Sequence, residues 1–176
     1  MAFVTAQEAI QSGCLVRMSD ASDDCALLDV LTDILASGAK SLMILACSSN
    51  HYSSSHFNNF LRECPVPVCG GIFPEVFYAW VRLKRGFVVV GFPFSISVSC
   101  HQQISVGRSI HNNKALIVDG EIIEQSRDLL VFVDATSVAA EDFISDLYEE
   151  IGGGIDVVGG GCGALDQRLR SWLIGR

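Results

Sequence analysis

The sequence predicts an α/β fold: a mixed sheet built from two pseudo-repeated strand–helix–strand units with an antiparallel, strand-rich insert between them. Apolar strand patterns at 42–46 and 129–133 are each followed by a polar loop, an amphipathic helical pattern and a second apolar run. Each second run ends in glycines, at Gly70-Gly71 and at Gly159-Gly160-Gly161, and the two copies are offset by 87 residues at their first strands and by 89 at the glycines. A strand, a crossover helix and a second strand form a parallel βαβ unit, so two such units are predicted.

The composition is that of one domain spanning residues 1–176. Hydrophobic residues make up 49% of the 176 positions and charged residues 18%, which favours a large buried core and leaves no segment that reads as a linker. The longest apolar run, Gly86 to Ser99, is shorter than the ~20 residues that a membrane-spanning helix needs. The N-terminus lacks the basic and apolar blocks of a secretory signal, so we expect a cytoplasmic protein with no membrane association.

Charge and cysteine content exclude further classes. A net charge of −8, with no Lys/Arg cluster, argues against binding to nucleic acids or anionic membranes. There are seven cysteines, namely Cys14, Cys25, Cys47, Cys64, Cys69, Cys100 and Cys162. An odd number without a C-x-x-C pair argues against a disulfide scaffold or a structural zinc site. Most of the cysteines are therefore expected to be small buried hydrophobes in a reducing compartment.

Two helical patterns precede the first unit. Thr5 to Ser12 is weakly helical. A stronger helix is predicted after Ser22, which can cap it, because Asp23 and Asp24 suit the positive end of a helix and apolar residues follow at helical spacing. Gly38 fits the stop of this helix.

The segment between the units changes to strand patterns. Ile72 to Trp80 is rich in aromatic residues and interrupted by Pro74, so it is predicted to be a packed loop. The strand predictions are Val81–Leu83 and Phe87–Val90 around a turn, Ile96–Ser99, a hairpin at 115–123 with an Asp-Gly turn and, after the second unit, Arg170–Ile174 as a strand or the opening of a further domain.

Four segments of the two units resemble, in order, the N-terminal FIST domain, the sensory module named for F-box and intracellular signal transduction proteins. They are Ile44-Leu45-Ala46-Cys47-Ser48, Val66-Pro67-Val68-Cys69-Gly70-Gly71 with Glu75, Leu130-Val131-Phe132-Val133-Asp134, and Val157-Val158-Gly159-Gly160-Gly161-Cys162-Gly163. The resemblance covers about Ala21 to Arg176. Pro74 stands where the family usually has a glycine before the loop glutamate, and Cys162 and Ala164 replace the usual alanine and acid.

The resemblance implies a bacterial cytoplasmic sensor, a signal-input domain and not an enzyme, that binds a small molecule such as an amino acid. We expect no resident cofactor, but some relatives look like haem proteins that sense nitric oxide, so a haem-based gas sensor is the alternative function that the resemblance implies. It also implies a C-terminal partner domain, which the printed sequence lacks. We therefore expect the chain to be either the N-terminal part of a longer protein or a half that needs a partner, and the expected partner is the missing domain or a second copy of the chain.

The loop after the first strand carries the first set of candidate ligand-binding residues: Cys47, Ser48, Ser49 and Asn50. These residues lie where a polar loop meets a helix N-terminus, which favours an anionic group such as a carboxylate. The alternative is that the loop only caps the helix. Cys47 with His51 also raises the alternative of a cysteine-dependent hydrolase, which needs a thiolate and a nearby base.

The equivalent loop of the second unit places Asp134 where it can either bind an amino group or cap its own loop. The glycines Gly70, Gly71, Gly159 and Gly160 are candidates for admitting a ligand, with close packing as the alternative. They lack the spacing of a nucleotide-binding loop. Glu75 joins the candidate set through the family resemblance.

Histidines and aromatic residues complete the candidates. His51 and His56 lie five residues apart, which does not fit two zinc ligands on one helical face. Haem needs one axial imidazole and an apolar cavity, for which His101 or His111 is the candidate. The aromatic residues Phe73, Phe77, Tyr78 and Trp80 are predicted to pack into the core in preference to lining a pocket.

Overall fold

The structure is a computed structural model that describes residues 13–50, 52, 54–98, 128–151, 154–163 and 173–175. These residues form three helices and nine strands. In chain order they are β1 (Leu15–Ser19), α1 (Asp24–Ala36), β2 (Ser41–Cys47), α2 (Ser54–Glu63), β3 (Val68–Phe73), β4 (Val76–Tyr78), β5 (Val81–Leu83), β6 (Phe87–Phe92), β7 (Asp128–Asp134), α3 (Ala140–Ile151), β8 (Asp156–Cys162) and β9 (Leu173–Gly175).

The main sheet has the strand order β1-β6-β2-β3-β9 and is mixed. Strands β2 and β3 are parallel, whereas β6 is antiparallel to both of its neighbours and β9 is antiparallel to β3. The second parallel pair, β7–β8, forms its own two-stranded sheet, and β4–β5 is a separate hairpin. The predicted α/β class with mixed pairing is confirmed. The two strands of the second unit lie in a different sheet from those of the first.

Both parallel pairs have the predicted arrangement of strand, helix and strand, with α2 between β2 and β3 and α3 between β7 and β8. The loops that leave their first strands are tied down alike. Ser48 N donates to Phe73 O over 2.7 Å in the first unit, and Ala135 N donates to Cys162 O over 2.9 Å in the second. Each bond fastens the loop to the end of the neighbouring strand, so both loops begin with the same backbone hydrogen bond.

The core lies between the main sheet and helices α1 and α2. Helix α1 presents its apolar residues Leu27, Leu31 and Ile34 to the sheet at the three-to-four-residue spacing of one helical face. One face of strand β2, with Leu42, Ile44 and Ala46, packs against the helices, and the other, with Leu45 and Cys47, packs against the β4–β5 hairpin. The largest buried side chains of this cluster are Phe87, Leu27, Leu31, Ile34, Leu42 and Ile44.

The two parallel units meet along a contact that we call the seam, formed by residues 71–73 of β3 and by Phe132, Cys162 and Gly163 of the second unit. Gly163 N donates to Ile72 O over 2.8 Å. The rings of Phe73 and Phe132 meet edge to face with centroids 5.8 Å apart. The seam therefore joins the carboxyl ends of strands from both units, which is where ligands bind in open α/β sheets.

Two predictions about local structure are wrong. Helix α1 is capped by Asp23 and not by Ser22, because Asp23 Oδ1 accepts a hydrogen bond from Ala26 N over 3.0 Å. The range Ile72 to Trp80 is not a loop, since β3 continues to Phe73 and Val76–Tyr78 pairs with Val81–Leu83 as a hairpin.

Strand predictions elsewhere have mixed outcomes. Ile96 to Val98, the described part of one predicted strand, is not in a strand. The short strand β9, at the end of the predicted range Arg170–Ile174, pairs with β3. The predicted helix Thr5–Ser12 and the predicted hairpin at 115–123 lie outside the described residues. Strand β1 has no counterpart among the predictions. In the part of the chain that the structure describes, none of the helices has the length and apolar character to cross a bilayer.

Candidate functional site

Cys47 ends strand β2 and is buried. Its Sγ donates to Leu83 O over 3.4 Å, and its backbone N donates to Gly86 O over 2.9 Å. Burial raises the pKa of the Cys47 thiol, Glu75 raises it further, and a backbone hydrogen bond at Val76 offsets part of the rise. Because the nucleophile of a cysteine hydrolase is the thiolate, this environment disfavours nucleophilic chemistry at Cys47.

Asn50 clamps the loop after β2 to the turn between β5 and β6. Its Oδ1 accepts from Gly86 N over 2.7 Å, and its Nδ2 donates to Gly86 O over 2.8 Å and to the Tyr52 hydroxyl oxygen over 2.6 Å. The amide thus pairs with both backbone groups of Gly86, as a neighbouring strand would. We call these contacts, together with the bond from Ser49 Oγ to Lys84 O, the turn clamp.

The first predicted loop therefore has a structural role of its own. Ser48 is half-buried and bonded through its backbone to β3, while the side chains of Ser49 and Asn50 bond to the turn at 84–86. A ligand that contacts Ser49 or Asn50 has to share these groups with the protein backbone.

Glu75 forms a two-pronged ion pair with Arg82 on the β4–β5 hairpin. Arg82 Nε donates to Glu75 Oε2 over 2.6 Å and Arg82 Nη2 donates to Glu75 Oε1 over 2.7 Å. The hydrogen bonds from Arg82 lower the pKa of the Glu75 carboxyl. Both oxygens of this candidate residue are engaged, and the guanidinium plane of Arg82 is held in one orientation.

Asp134 ends strand β7, at the position equivalent to Cys47. Its Oδ1 accepts from Thr136 N over 2.8 Å and from Thr136 Oγ1 over 2.6 Å. This is the loop-capping role, an Asx turn that fixes the start of the loop. The charge of Asp134 also adds to the effect of burial at Cys162, where burial is the larger cause and raises the pKa of the thiol to about 12.

The candidate glycines separate into two groups. A Cβ added at Gly70 would overlap Ile44 O, one at Gly159 would overlap Val131 O, and one at Gly71 would overlap the Cys162 sulfur. These three glycines permit close packing of strands within each unit or across the seam. Gly160 differs, since an added Cβ would have nothing within 4 Å.

Gly160 belongs to an open sheet face that we call the trough. Because Cα partners in a ladder share a face and alternate residues along a strand do so too, Phe132 and Asp134 lie on the same face as Gly160. Leu130 and Val158 extend this face and are 45% and 66% exposed. At one end of the trough Phe73 contacts Phe132, so the trough runs from solvent to the seam with an acid at its inner end.

Leu130, Phe132 and Val158 are site residues that sequence reasoning misses, because in the sequence they belong only to the strand patterns of the second unit. The alternation of side chains along a strand does predict that Leu130 and Phe132 share a face with Asp134. It does not predict how much of that face β3 covers.

A protein-family model described as the FIST N domain matches residues 41–175. The chain belongs to the FIST N domain family. The matched range begins with β2 and ends with β9, so it contains both parallel units and the seam. No curated protein and no solved structure matches the chain significantly. FIST N domains are sensory domains of signal transduction, which confirms the resemblance and the coarse function predicted from the sequence.

The histidines and cysteines that the structure describes form no metal centre in this FIST N domain. Among the described residues no three His, Cys, Asp or Glu side chains converge as metal ligands. His56 is exposed and its Nδ1 lies 3.4 Å from Asp24 Oδ2, while the haem candidates His101 and His111 lie outside the described residues. Cys64 is buried as expected, whereas Cys25 is exposed.

The aromatic residues after β3 depart from their predicted core positions. Phe73 and Tyr78 are partly buried and pack against the smaller apolar cluster around Cys47. Phe77 is 68% exposed and Trp80 is 101% exposed, so core packing was the wrong prediction for these two. The reason is the hairpin: Phe77 lies on its outer face and Trp80 in its turn, next to Ala79 with a φ of 51°.

Proposed function

We propose that this FIST N domain is a sensory input domain that binds a small metabolite, such as an amino acid, in the trough beside the seam. The observation that carries the proposal is Gly160. The other three candidate glycines lie against neighbouring atoms, whereas Gly160 leaves open space beside Phe132 and near Asp134.

The chemistry of the trough suits a ligand with an apolar body and an amino group. Leu130, Phe132 and Val158 offer an apolar floor, and burial of ligand surface against such a floor favours binding by about 25 cal/mol per Å². The negative charge of Asp134 attracts an ammonium group at the inner end. The loop after β2 lies across the seam and is bonded to Phe73. We propose that this loop contacts the carboxylate of the ligand.

The environment of Cys47 supports a sensor over an enzyme. A buried thiol with a raised pKa is a poor nucleophile, and its sulfur is already committed to Leu83 O. Cys47→Ala should therefore leave ligand binding within a few-fold of the wild type, whereas a cysteine hydrolase would lose turnover completely.

The binding test is a thermal shift screen of the protein with each of the twenty common amino acids at millimolar concentration, followed by calorimetry of those that raise the melting temperature. A ligand of the native state raises it by mass action. We expect apolar amino acids to do so. Asp134→Asn, which keeps an oxygen for Thr136 but removes the charge, should weaken binding by more than tenfold.

The matched pair of variants is Gly160→Leu and Gly154→Leu. Both glycines have nothing within 4 Å of an added Cβ, but only Gly160 lies in the trough. Gly160→Leu should abolish binding and Gly154→Leu should preserve it. Equal binding by Gly160→Leu and the wild type, or a screen in which no amino acid raises the melting temperature, would overturn the proposal.

A further inference from the structure

An open cleft of about 770 Å³ lies between the end of β1 and strand β5 with the turn that follows it. Its lining includes Met18, Asp20, Val81, Arg82, Lys84 and Arg85. None of these residues was predicted to be part of a site, and none belongs to the trough. The cleft therefore needs an explanation of its own.

The charge of this cleft is opposite to that of the chain. The protein carries −8 overall, yet three cations line the cleft within four residues of sequence, against one acid, Asp20. The expectation that the chain has no Lys/Arg cluster fails at this turn. Arg82 is paired with Glu75, whereas Lys84 and Arg85 have no ion pair within the residues that the structure describes.

The backbone that carries Lys84 and Arg85 is fixed from two sides. The turn clamp bonds Ser49 to Lys84 O and Asn50 to both backbone groups of Gly86. On the other side Gly86 has a φ of +102°, and an added Cβ there would overlap Ser19 O at the end of β1. Because both walls are held in place, little backbone order has to be gained when a ligand binds.

We propose that this cleft binds a small organic anion, with its carboxylate or phosphate group held by Lys84 and Arg85 and its apolar body against Met18 and Val81. This second site does not rest on the proposed function of the trough. Since the cleft is open, little ligand surface is buried, and charge provides most of the recognition. Binding should therefore weaken as salt screens the charges.

The test uses the ¹⁵N-labelled protein and three probes of similar shape: phenyl phosphate, benzoate and benzyl alcohol. We expect phenyl phosphate or benzoate to shift the amide resonances of residues 82–86, and benzyl alcohol to leave them in place. The stronger of the two anions identifies phosphate or carboxylate as the preferred group. Raising NaCl from 50 to 500 mM should weaken the binding several-fold.

The matched variants are Lys84→Glu in the cleft and Lys40→Glu, the same charge change at an exposed position outside it. Lys84→Glu should weaken anion binding at least tenfold and Lys40→Glu by less than twofold. Arg85→Gln repeats the test at a neighbouring side chain should Lys84→Glu fail to fold. Equal losses in both lysine variants, shifts caused equally by benzyl alcohol, or no shift with either anion would overturn the site.

Discussion

Neighbouring glycines on β8 differ in what they permit. Gly159 lies opposite Val131, with no room for a side chain, because an added Cβ would overlap the Val131 carbonyl oxygen. Gly160 is the next residue and faces open space. Gly70 in the first unit repeats the situation of Gly159, since it lies opposite Ile44 and would overlap the Ile44 oxygen. The glycine run on β8 therefore contains one glycine that close packing requires and one that leaves open space beside the strand.

We predict that Gly159→Ala lowers the free energy of unfolding by about 2–3 kcal/mol, since the strand pair must separate to admit a methyl group. The matched control, Gly160→Ala, should change it by less than about 0.5 kcal/mol because nothing contacts the new methyl group. Urea unfolding followed by circular dichroism measures both. Similar losses in the two variants would contradict the distinction drawn between these glycines.

Buried thiols give the protein a second measurable property, a loss of stability in alkali. Burial raises the pKa of Cys69 to about 11 and is the main cause that raises the pKa of Cys162 to about 12, against an ordinary value of 9.0. Above pH 9 the unfolded chain loses these protons while the folded protein keeps them. The free energy of unfolding therefore falls from pH 9 towards pH 11, with a limiting slope of about 1.4 kcal/mol per pH unit for each thiol.

The measurement is urea unfolding at pH 8, 9, 10 and 11 for the wild type and Cys69→Ala. Because Cys69→Ala also removes packing contacts at every pH, the quantity compared is the slope of the free energy of unfolding against pH. It should be shallower in Cys69→Ala above pH 9. Parallel slopes for the two proteins would show that the Cys69 thiol is not the group responsible.

At the scale of elements, the loop after β2 and the turn after β5 behave as one assembly. The turn clamp holds them together through Asn50, whose side chain bonds to both the N–H and the C=O of the buried Gly86. Ser49 contributes a single bond and is exposed. The clamp connects the loop beside the seam with the turn that carries Lys84 and Arg85, so the two proposed sites share a supporting element.

We predict that Asn50→Ala lowers the free energy of unfolding by about 2–3 kcal/mol, because it leaves the Gly86 N–H buried without its acceptor. Ser49→Ala, the matched control in the same loop, should cost less than about 1 kcal/mol, since water can reach the Lys84 oxygen. Urea unfolding compares the two. A cost for Asn50→Ala no greater than that for Ser49→Ala would contradict the clamp.

Periodicity predicted the regular elements well and the irregular ones poorly. Both parallel pairs and all three described helices follow from strand and helix patterns in the sequence. Strand β5 was predicted correctly as Val81–Leu83, whereas β4 and its pairing with β5 were missed, because β4 is three residues long and follows closely after Pro74. The candidate loop residues were located correctly at the strand ends, but the bonds of Asn50 and Glu75 could not be predicted because Gly86 and Arg82 come from other elements.

For the whole molecule, the two parallel units differ in how firmly they are held. Strand β2 is largely buried and paired on both edges, whereas β8 is mostly exposed and, among the residues that the structure describes, pairs only with β7. Within the described residues, the second unit contacts the main sheet at the seam, where the rings of Phe73 and Phe132 meet and Gly163 N donates to Ile72 O. A sensory domain needs an element that a ligand can reposition, and such elements come from the less stable part of a fold.

We therefore predict that native-state hydrogen exchange gives the amides of β7 a lower opening free energy than those of β2. Phe132→Leu should lower the opening free energy of β7 by about 1 kcal/mol more, because it removes the edge-to-face contact of the seam. The opening free energy of β2 should stay unchanged. Trp80→Leu is the control, since this aromatic side chain is fully exposed. If β2 and β7 opened with the same free energy and responded equally to Phe132→Leu, the units would unfold as one, and ligand-driven movement of the second unit would need another hinge.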